Sequence, residues 1–281
     1  MSWAFFVGVV PSRFSSDRPY TPAVLILLTN DDGIRAPGIL AMYRELTKLG
    51  EVHVVAPETV QSATGHGVTL DTPLLTQQVT IENGFTGVAI GGRPADCVKV
   101  AVSQILPRKP DLVVSGMNSG ANVGINVLYS GTVAAAIEAA FLGLPSIAVS
   151  LHLKSEVPLD FARPAMFARQ VIQQVIDGGL AGGECVSINL PPLHPTETPA
   201  GVKIARQCVR PWTDEYERRQ DPRGREYFWS SSVFRLGETE ADTDVAALRD
   251  KFITITPLQF DLTSYRQMEQ WRDKPWNLAG E

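Results

Sequence analysis

The clearest pattern in the chain begins at Val24-Leu25-Ile26-Leu27-Leu28-Thr29-Asn30-Asp31-Asp32-Gly33. Five apolar residues in an unbroken run are typical of a strand that is buried on both faces of a parallel sheet. Gly33 ends the run, and a helical pattern begins near Ile39. Asp31 and Asp32 are therefore predicted at the carboxyl end of the first strand, where open α/β sheets bind ligands.

Two interpretations of the Asp31–Asp32 pair are open at this point. Adjacent carboxylates repel each other unless a positive charge lies between them, and a hard divalent cation is the usual partner. The same Asn-Asp-Asp-Gly sequence is also good turn chemistry, and an Asp before a helix is a common cap. Other segments are needed to choose between a metal site and a turn.

The segments that follow alternate between strand and helix patterns, which predicts a parallel sheet with helical crossovers. Residues 68–92 break this order, because three short alternating runs there predict a small antiparallel excursion from the main sheet. The predicted strands are 51–57, 111–115, 145–150 and 186–191, and the predicted helices are 39–49, one that opens at residue 93, 133–140 and 160–176. The strand at 186–191 is expected to close the sheet.

Three regions follow from this pattern. Residues 1–22 are rich in Pro and Ser and are predicted to be a loose extension, 23–195 the α/β core, and 196–281 a C-terminal extension. The extension is predicted to contain strands at 226–229, 232–234 and 252–257, an acidic loop at 238–244 and a short helix at 265–271. These elements are too few for a core of their own, so we expect them to pack on the core or on another subunit.

Composition excludes several classes of protein. The chain has 281 residues, 44% of them hydrophobic, and a net charge of -5, which argues against a general nucleic-acid or membrane-surface binder. Its three cysteines are far apart and form no Cys-x-x-Cys motif, so neither a zinc site nor a disulfide framework is expected. The short apolar run near the start has no preceding Lys or Arg, which makes it a poor signal peptide. We predict a cytoplasmic protein.

A polar loop follows the second predicted strand. Residues 58–67 include Ser62, Thr64 and His66, and they should lie beside Asp31 and Asp32 at the same edge of the sheet. The alternative is an ordinary surface loop.

A second, longer loop follows the strand at 111–115 and runs to Ser130-Gly131-Thr132, where an alanine-rich helix begins. Long loops inside compact domains are usually functional. Free backbone N–H groups at a helix N-terminus form an anion site, although a Ser there also caps the helix without any ligand. The loop also carries Asn118 and Asn122.

Together these loops offer carboxylate, hydroxyl and amide oxygens beside an anion site. Such oxygens favour Mg²⁺ or Mn²⁺ over zinc, and a metal beside an anion site indicates phosphate chemistry. Neither G-x-x-x-x-G-K-[ST] nor G-x-G-x-x-G is present, which disfavours a nucleoside triphosphate P-loop or a dinucleotide fold. A receiver-like signalling domain also carries an acidic pair after its first strand, but this chain lacks the Asp and Lys expected on later strands. A metal-dependent phosphatase is the hypothesis that the residues favour.

The motifs also resemble a known family. They are the run from Leu27 to Ile34, Ala56-Pro57, Ser62, 94–98, 115–118, Asn122, 129–133, 146–150, 221–224, Thr243-Asp244 and 255–258. In this order and spacing, over roughly residues 24–263, the chain resembles the SurE family of survival-protein nucleotidases and phosphatases. The resemblance implies an α/β fold, a Rossmann-like, mostly parallel three-layer sandwich, with a C-terminal hairpin extension used in oligomerisation.

The resemblance also implies an activity. It implies hydrolysis of nucleoside 5′- and 3′-monophosphates with one divalent metal, Mg²⁺ or Mn²⁺, per subunit, and short polyphosphate as a further substrate to test. Members form homodimers or homotetramers by exchanging C-terminal elements, and neither nucleic acid nor a membrane is an expected partner. The competing hypothesis is a metal- or nucleotide-binding stress protein with a vestigial site.

By motif position, the resemblance assigns roles to individual residues. Asp31, Asp32, Ser62 and Asn118 are implied as metal ligands, with Asn122, Ser130, Gly131 and Thr132 at the phosphate. Asp31 and Asp32 are the expected catalytic residues. Either they assist an attacking water or one of them attacks phosphorus directly.

Two further residues bear on this site. His66 is a candidate to protonate the leaving oxygen, although a loop histidine is more often a bystander. The chain has Ala63 where many members of the family have glycine, so the loop backbone is expected to differ slightly.

Overall fold

The computed structural model describes residues 24–82, 85–154, 157, 159–210, 215–230 and 239–276. The predicted loose extension at 1–22 and the predicted strand at 232–234 lie outside these ranges. Within them the strands are β1 (Leu25–Thr29), β2 (Glu51–Pro57), β3 (Thr76–Glu82), β4 (Phe85–Ile90), β5 (Leu112–Ser119), β6 (Ser146–Leu151), β7 (Cys185–Leu190), β8 (Val202–Ile204), β9 (Tyr216–Gln220), β10 (Glu226–Ser230) and β11 (Ile253–Leu258). The α-helices are α1 (Pro37–Leu46), α2 (Pro94–Val100), α3 (Gly131–Phe141), α4 (Ala162–Asp177), α5 (Asp244–Arg249) and α6 (Tyr265–Arg272).

Nine strands form one sheet in the order β3-β4-β2-β1-β5-β6-β7-β11-β8. The pairs from β4 to β7 are parallel, whereas β3 on β4 and β11 on β7 are antiparallel. The predicted α/β fold with a mostly parallel sheet is confirmed. Since β1 lies between β2 and β5, its carboxyl end is flanked by the loops that follow these two strands.

The sheet is covered by helices on both faces. Ile26 and Leu28 of β1 pack in the cluster that contains residues of α1 and α4, whereas Leu27 packs in the cluster that contains residues of α2 and α3. All five residues of β1 are buried, as the unbroken apolar run predicts. Burying each such Leu or Ile stabilises the fold by roughly 1.5–3 kcal/mol, which fixes the strand that carries Asp31 and Asp32.

Several elements differ from the sequence prediction. β5 runs to Ser119, so Asn118 lies on a strand, and the loop after it contains a 3₁₀ turn at Gly124–Leu128. The run at 68–70 is not a strand, and β4 joins the main sheet beside β2. A strand buried on both faces can extend past its apolar run, because pairing with its neighbours and not hydropathy alone sets its length.

The predicted closure of the sheet at 186–191 is wrong. β7 has β11 on its outer side, and β8 pairs with β11 in turn, so two strands of the C-terminal region extend the sheet. The end of the predicted acidic loop is also wrong, because Asp244 is the first residue of α5. The boundary near residue 195 stays a prediction, but the sheet crosses it.

The remaining described C-terminal elements are exposed to solvent. β9 and β10 form an antiparallel hairpin whose residues are all exposed, and no residue of α6 is buried. Among the ranges described, no helix has both the length and the apolar character needed to cross a membrane. The cytoplasmic location stays a prediction.

Candidate active site

Three loops meet at the carboxyl end of β1. The backbone N–H of Gln61 donates to the carbonyl oxygen of Asp31 at 2.8 Å, which brings the loop after β2 against β1. The backbone N–H of Ser119 donates to Oδ2 of Asp32, also at 2.8 Å, which joins the end of β5 to the same place. The predicted meeting of these loops at one edge of the sheet is therefore confirmed.

Asp31 is the buried member of the acidic pair. Only 5% of the residue is exposed, and the Thr132 hydroxyl donates a hydrogen bond to its Oδ1. Burial, reinforced by the negative charge of Asp32, raises the pKa of the Asp31 carboxyl to about 6, although the hydrogen bond from Thr132 lowers it. Burial thus disfavours the charged form of Asp31, and a cation beside the carboxylate would favour that form.

The N-terminus of α3 lies directly against Asp31. Ser130 caps the helix, because its Oγ accepts from the backbone N–H of Val133 at 3.1 Å. A Cβ added to Gly131 would lie 2.8 Å from Cβ of Asp31, so only glycine permits this approach. The helix has 11 residues, and the N–H groups of its first turn have no carbonyl within the helix to donate to. An anion bound there would therefore lie beside the carboxylates.

The residues around the acidic pair fit a hard cation. Within the ranges described, no three His, Cys, Asp or Glu side chains cluster closely enough to hold a metal. The ligands of a metal here would therefore be two carboxylates and neutral oxygens, as is usual for Mg²⁺. Nδ2 of Asn118 donates to the carbonyl of Gly120 at 2.8 Å, which leaves its Oδ1 as the free end of the amide.

Two buried hydroxyl oxygens on the strands that lead to the site have no hydrogen-bond partner among the described residues. The hydroxyl oxygens of Thr29 and Ser115, register partners on β1 and β5, are buried in this way. Unpaired buried oxygens are rare in folded proteins and call for an explanation. Thr29 and Ser115 precede Asp31 and Asn118 in the chain, and the other oxygens of this kind belong to Asn30, Thr254 and Thr256.

Two residues expected at the phosphate have other contacts. The Thr132 hydroxyl donates to Asp31, so Thr132 offers its backbone N–H, and not its side chain, to an anion. Asn122 is buried, and its Nδ2 donates to Oγ of Ser150 at 2.8 Å while its backbone N–H donates to Asn189. Contact of Asn122 or Thr132 with phosphate stays a prediction.

Ser62 lies in the loop that the Gln61–Asp31 hydrogen bond draws to the site, and it is exposed. The next residue, Ala63, has a φ of 55°, a left-handed backbone that glycine adopts without strain. The loop thus keeps a glycine-like backbone at the position where this chain departs from many of the family it resembles. Ligation of a metal by Ser62 stays a prediction.

His66 contacts the side of α3 and not its N-terminus. Its Nε2 lies 2.8 Å from Oε2 of Glu138, and its ring stacks on Phe141 at 5.2 Å between centroids. Nζ of Lys99 donates to the other oxygen of Glu138 at 3.2 Å. Glu138 lies about two turns along α3 from Ser130. The proposed protonation of the leaving oxygen by His66 stays a prediction, while its contact with Glu138 attaches the Ser62 loop to α3.

Replacing Glu138 by Gln is expected to destabilise the protein by about 1–3 kcal/mol near pH 7, because it weakens two charge-assisted hydrogen bonds of a buried carboxylate. The hydrogen bond from His66 is the largest influence and, with that from Lys99, holds the pKa of Glu138 below its ordinary value of 4.5. A lowered folded-state pKa means that this stability is present above 4.5 and is lost as the pH falls through the folded-state pKa.

Urea unfolding of both proteins over a pH series measures this difference. Glu82→Gln is the control, because Glu82 forms an exposed ion pair with Arg44 and should contribute at most about 1 kcal/mol. Equal losses of unfolding free energy in the two variants, or a Glu138→Gln loss that persists in acid, would contradict this role of the Glu138 carboxylate.

The sequence analysis named Asp244 as a motif position but predicted neither its burial nor its contacts near the site. Asp244 lies within the predicted acidic loop, but it is 1% exposed and accepts hydrogen bonds from three backbone N–H groups. A signal was present, because Thr243 followed by Asp244 and an apolar run is a helix-start pattern, and Thr243 does cap α5. The partners of Asp244 are distant in sequence, so no local pattern indicates them.

Comparison with known proteins identifies relatives along most of the chain. The family model described as "Survival protein SurE" matches residues 26–214. A protein of Syntrophobacter fumaroxidans named "5'-nucleotidase SurE" is 45% identical over 90% of this chain and 99% of its own length, and one of that name from Moorella thermoacetica is 46% identical over 88% and 94%. The crystal structure of the SurE protein from Aquifex aeolicus is similar with a TM-score of 0.75 at 36% identity, covering 88% of this chain and 97% of that one.

Proposed function

The chain belongs to the SurE family, and from this membership and the site geometry we propose that it is a divalent-metal-dependent nucleotidase. Its substrates are nucleoside 5′- and 3′-monophosphates, and short polyphosphate is a second substrate class to test. The relatives named 5'-nucleotidase support the nucleotidase activity. The metal, the 3′ activity and the polyphosphate rest on the resemblance and on the chemistry of the site.

One observation carries the proposal. The N-terminus of α3 lies against the buried carboxylate of Asp31, with Gly131 allowing the contact. A phosphate bound at this helix N-terminus would be repelled by the nearby carboxylates, since both carry negative charge, unless a cation lay between them. Metal-assisted phosphate hydrolysis requires such an arrangement, in which a cation site lies beside a phosphate site.

The reaction assigns a task to each part of the site. Water forms a new bond to phosphorus, the bond from phosphorus to the ester oxygen breaks, and the proton released by the water balances the one gained by the leaving alcohol. Asp31, Asp32, Ser62 and Asn118 would hold the cation, which supplies charge neutralisation and polarises a phosphoryl oxygen. Asp31 and Asp32 orient the attacking water, and the backbone N–H groups of the first turn of α3 hold the phosphate.

We also propose a homodimer or homotetramer assembled through the C-terminal region. The hairpin β9–β10 and the helix α6 expose large apolar side chains, among them Phe228, Trp229 and Trp271. Exposed aromatic residues grouped on poorly supported elements indicate a surface that another chain covers. Exchange of these elements between subunits is what the family resemblance implies.

Phosphate release from a panel of nucleoside 5′- and 3′-monophosphates and a short polyphosphate tests the function. Each reaction is run with Mg²⁺, with Mn²⁺ and with EDTA. We expect release from the monophosphates that needs metal and stops in EDTA, because the carboxylate pair cannot accept a phosphate without a cation. Release that survives EDTA would contradict the metal mechanism, and no release under any metal would favour the vestigial site.

A further inference from the structure

Asp244 is a buried carboxylate with three backbone donors. Its Oδ2 accepts from the N–H of Gly124 at 2.8 Å, and its Oδ1 accepts from the N–H groups of Cys208 and Val245 at 2.9 and 2.8 Å. Only 1% of the residue is exposed. The bond to Gly124 spans 120 residues of sequence and is charge-assisted, so it is the strong kind of hydrogen bond.

Gly124 is the residue at which the C-terminal region contacts the loop between β5 and α3. It begins the 3₁₀ turn Gly124–Leu128, which leads to Ser130 and α3. Its carbonyl also accepts from Nε2 of Gln207 at 2.8 Å. Its φ is 60°, and an added Cβ would lie 3.2 Å from the carbonyl oxygen of Cys208, so glycine suits this contact. Both hydrogen-bonding groups of Gly124 are thus fixed by residues beyond position 200.

Apolar packing also supports the contact between the loop at Gly124 and the C-terminal region. A small cluster of buried side chains joins the loop to α5 and the chain before it, and its members are Val123, Cys208, Val245 and Leu248. The carboxylate therefore holds Gly124 from within a buried, largely apolar environment, where a hydrogen bond to a charged group is stronger than in water.

The metal side of the site is anchored elsewhere. Asp32 accepts from Ser119, and the amide of Asn118 is fixed by Gly120. Asn122, which the family resemblance places at the phosphate and not at the metal, is held by Asn189 and Ser150. The contacts of Asp244 begin only after these positions, at Gly124, and so they bear on the turn that leads to Ser130.

We propose that Asp244 is a positioning residue for the phosphate-binding N-terminus of α3, acting through Gly124 and separately from the metal ligands. The proposal rests on the proposed function for its kinetic readout alone. Because the turn and the metal ligands are anchored by different contacts, loss of Asp244 weakens phosphate binding and leaves metal binding in place. A purely structural residue would change the amount of folded protein and leave both binding constants unchanged.

The test compares Asp244→Asn with Thr243→Ala in the full chain. Thr243 caps α5 by accepting from the N–H of Ala246, and its loss should destabilise the same helix without touching Gly124. For each protein we would measure KM for a nucleoside monophosphate, the inhibition constant of inorganic phosphate, the Kd for Mn²⁺, the Tm and the hydrogen exchange of the Gly124 amide.

In Asp244→Asn, KM and the phosphate constant should rise about tenfold, the size of one lost hydrogen bond to a charged group. The Mn²⁺ Kd should stay unchanged, and the Gly124 amide should exchange faster. Thr243→Ala should lower Tm and keep the wild-type KM. Equal changes of KM in the two variants, no change in Asp244→Asn, or a parallel loss of Mn²⁺ binding would overturn the proposal.

A second variant covers the case in which Asp244→Asn fails to fold. Gln207→Leu removes the other hydrogen bond to Gly124 and should raise KM by a smaller factor with unchanged Mn²⁺ affinity. If the wild-type protein releases no phosphate at all, the proposed function fails. Inorganic phosphate binding by calorimetry and the exchange of the Gly124 amide then still decide the role of Asp244, and unchanged values in both variants would reject it.

Discussion

Replacing Asp32 by Asn is expected to reduce metal-dependent phosphate release by about 10²–10³-fold, the size of the loss when one group that contributes to electrostatic stabilisation of a transition state is removed. Asp32 is the less buried acid of the pair, and its Oδ2 already accepts from the N–H of Ser119. The substitution keeps the size of the side chain and removes one negative charge from the expected cation site. The remaining oxygens would bind a hard cation more weakly, because affinity for such ions depends on the number of charged ligands.

The measurement is phosphate release over a range of Mn²⁺ concentrations, with the Tm recorded at each concentration. Mn²⁺ should raise the Tm of the wild-type protein, since a ligand at 100 times its Kd stabilises the fold by about 2.7 kcal/mol, and this rise should be lost in Asp32→Asn. Asp71→Asn is the matched control, because it removes the same charge from an exposed position and should change neither value. A fully active Asp32→Asn variant would exclude Asp32 from the site.

The core of the fold could be predicted from the sequence because its strands are buried on both faces. The β2 strand has the predicted ends, and β1, β6 and β7 lie within a residue or so of theirs. Continuous apolar runs between turn residues are a local signal, and the parallel order follows from the crossovers. The edge on which Asp31, Asp32 and the polar loops meet follows from that order alone.

The parts that could not be predicted depend on contacts between distant residues. The pairing of β11 with β7 joins positions about 70 residues apart, and no periodicity in either strand indicates it. The same holds for the hydrogen bond from the Thr132 hydroxyl to Asp31, which joins positions 101 residues apart and which no local pattern indicates. A residue type can indicate chemistry, but its hydrogen-bond partner is decided by the tertiary structure.

Substitution of Gly131 is the second strong test, because at this residue the N-terminus of α3 lies closest to the carboxylate of Asp31. Gly131→Ala would place a methyl group 2.8 Å from Cβ and 3.0 Å from Oδ2 of Asp31, and 3.2 Å from Cγ of Pro94. Real Cβ atoms do not approach other atoms this closely, so α3 or Asp31 must move. Such overpacking costs about 1–3 kcal/mol, although alanine at a helix start would otherwise be favourable.

The expected result is a fall in kcat/KM of about 100-fold, because a displacement of the order of 1 Å at a reacting centre has this effect. Steady-state kinetics with saturating Mn²⁺ measure it, and urea unfolding shows whether stability falls as well. Gly178→Ala at the end of α4 is the control, because its backbone is α-helical and the new Cβ meets only the preceding turn of the same helix. Since helix propensity favours alanine at both positions, a loss confined to Gly131→Ala must come from the contact with Asp31. If both variants keep wild-type activity, the anion site and the carboxylate pair do not need this close approach, and the phosphate must bind farther from Asp31.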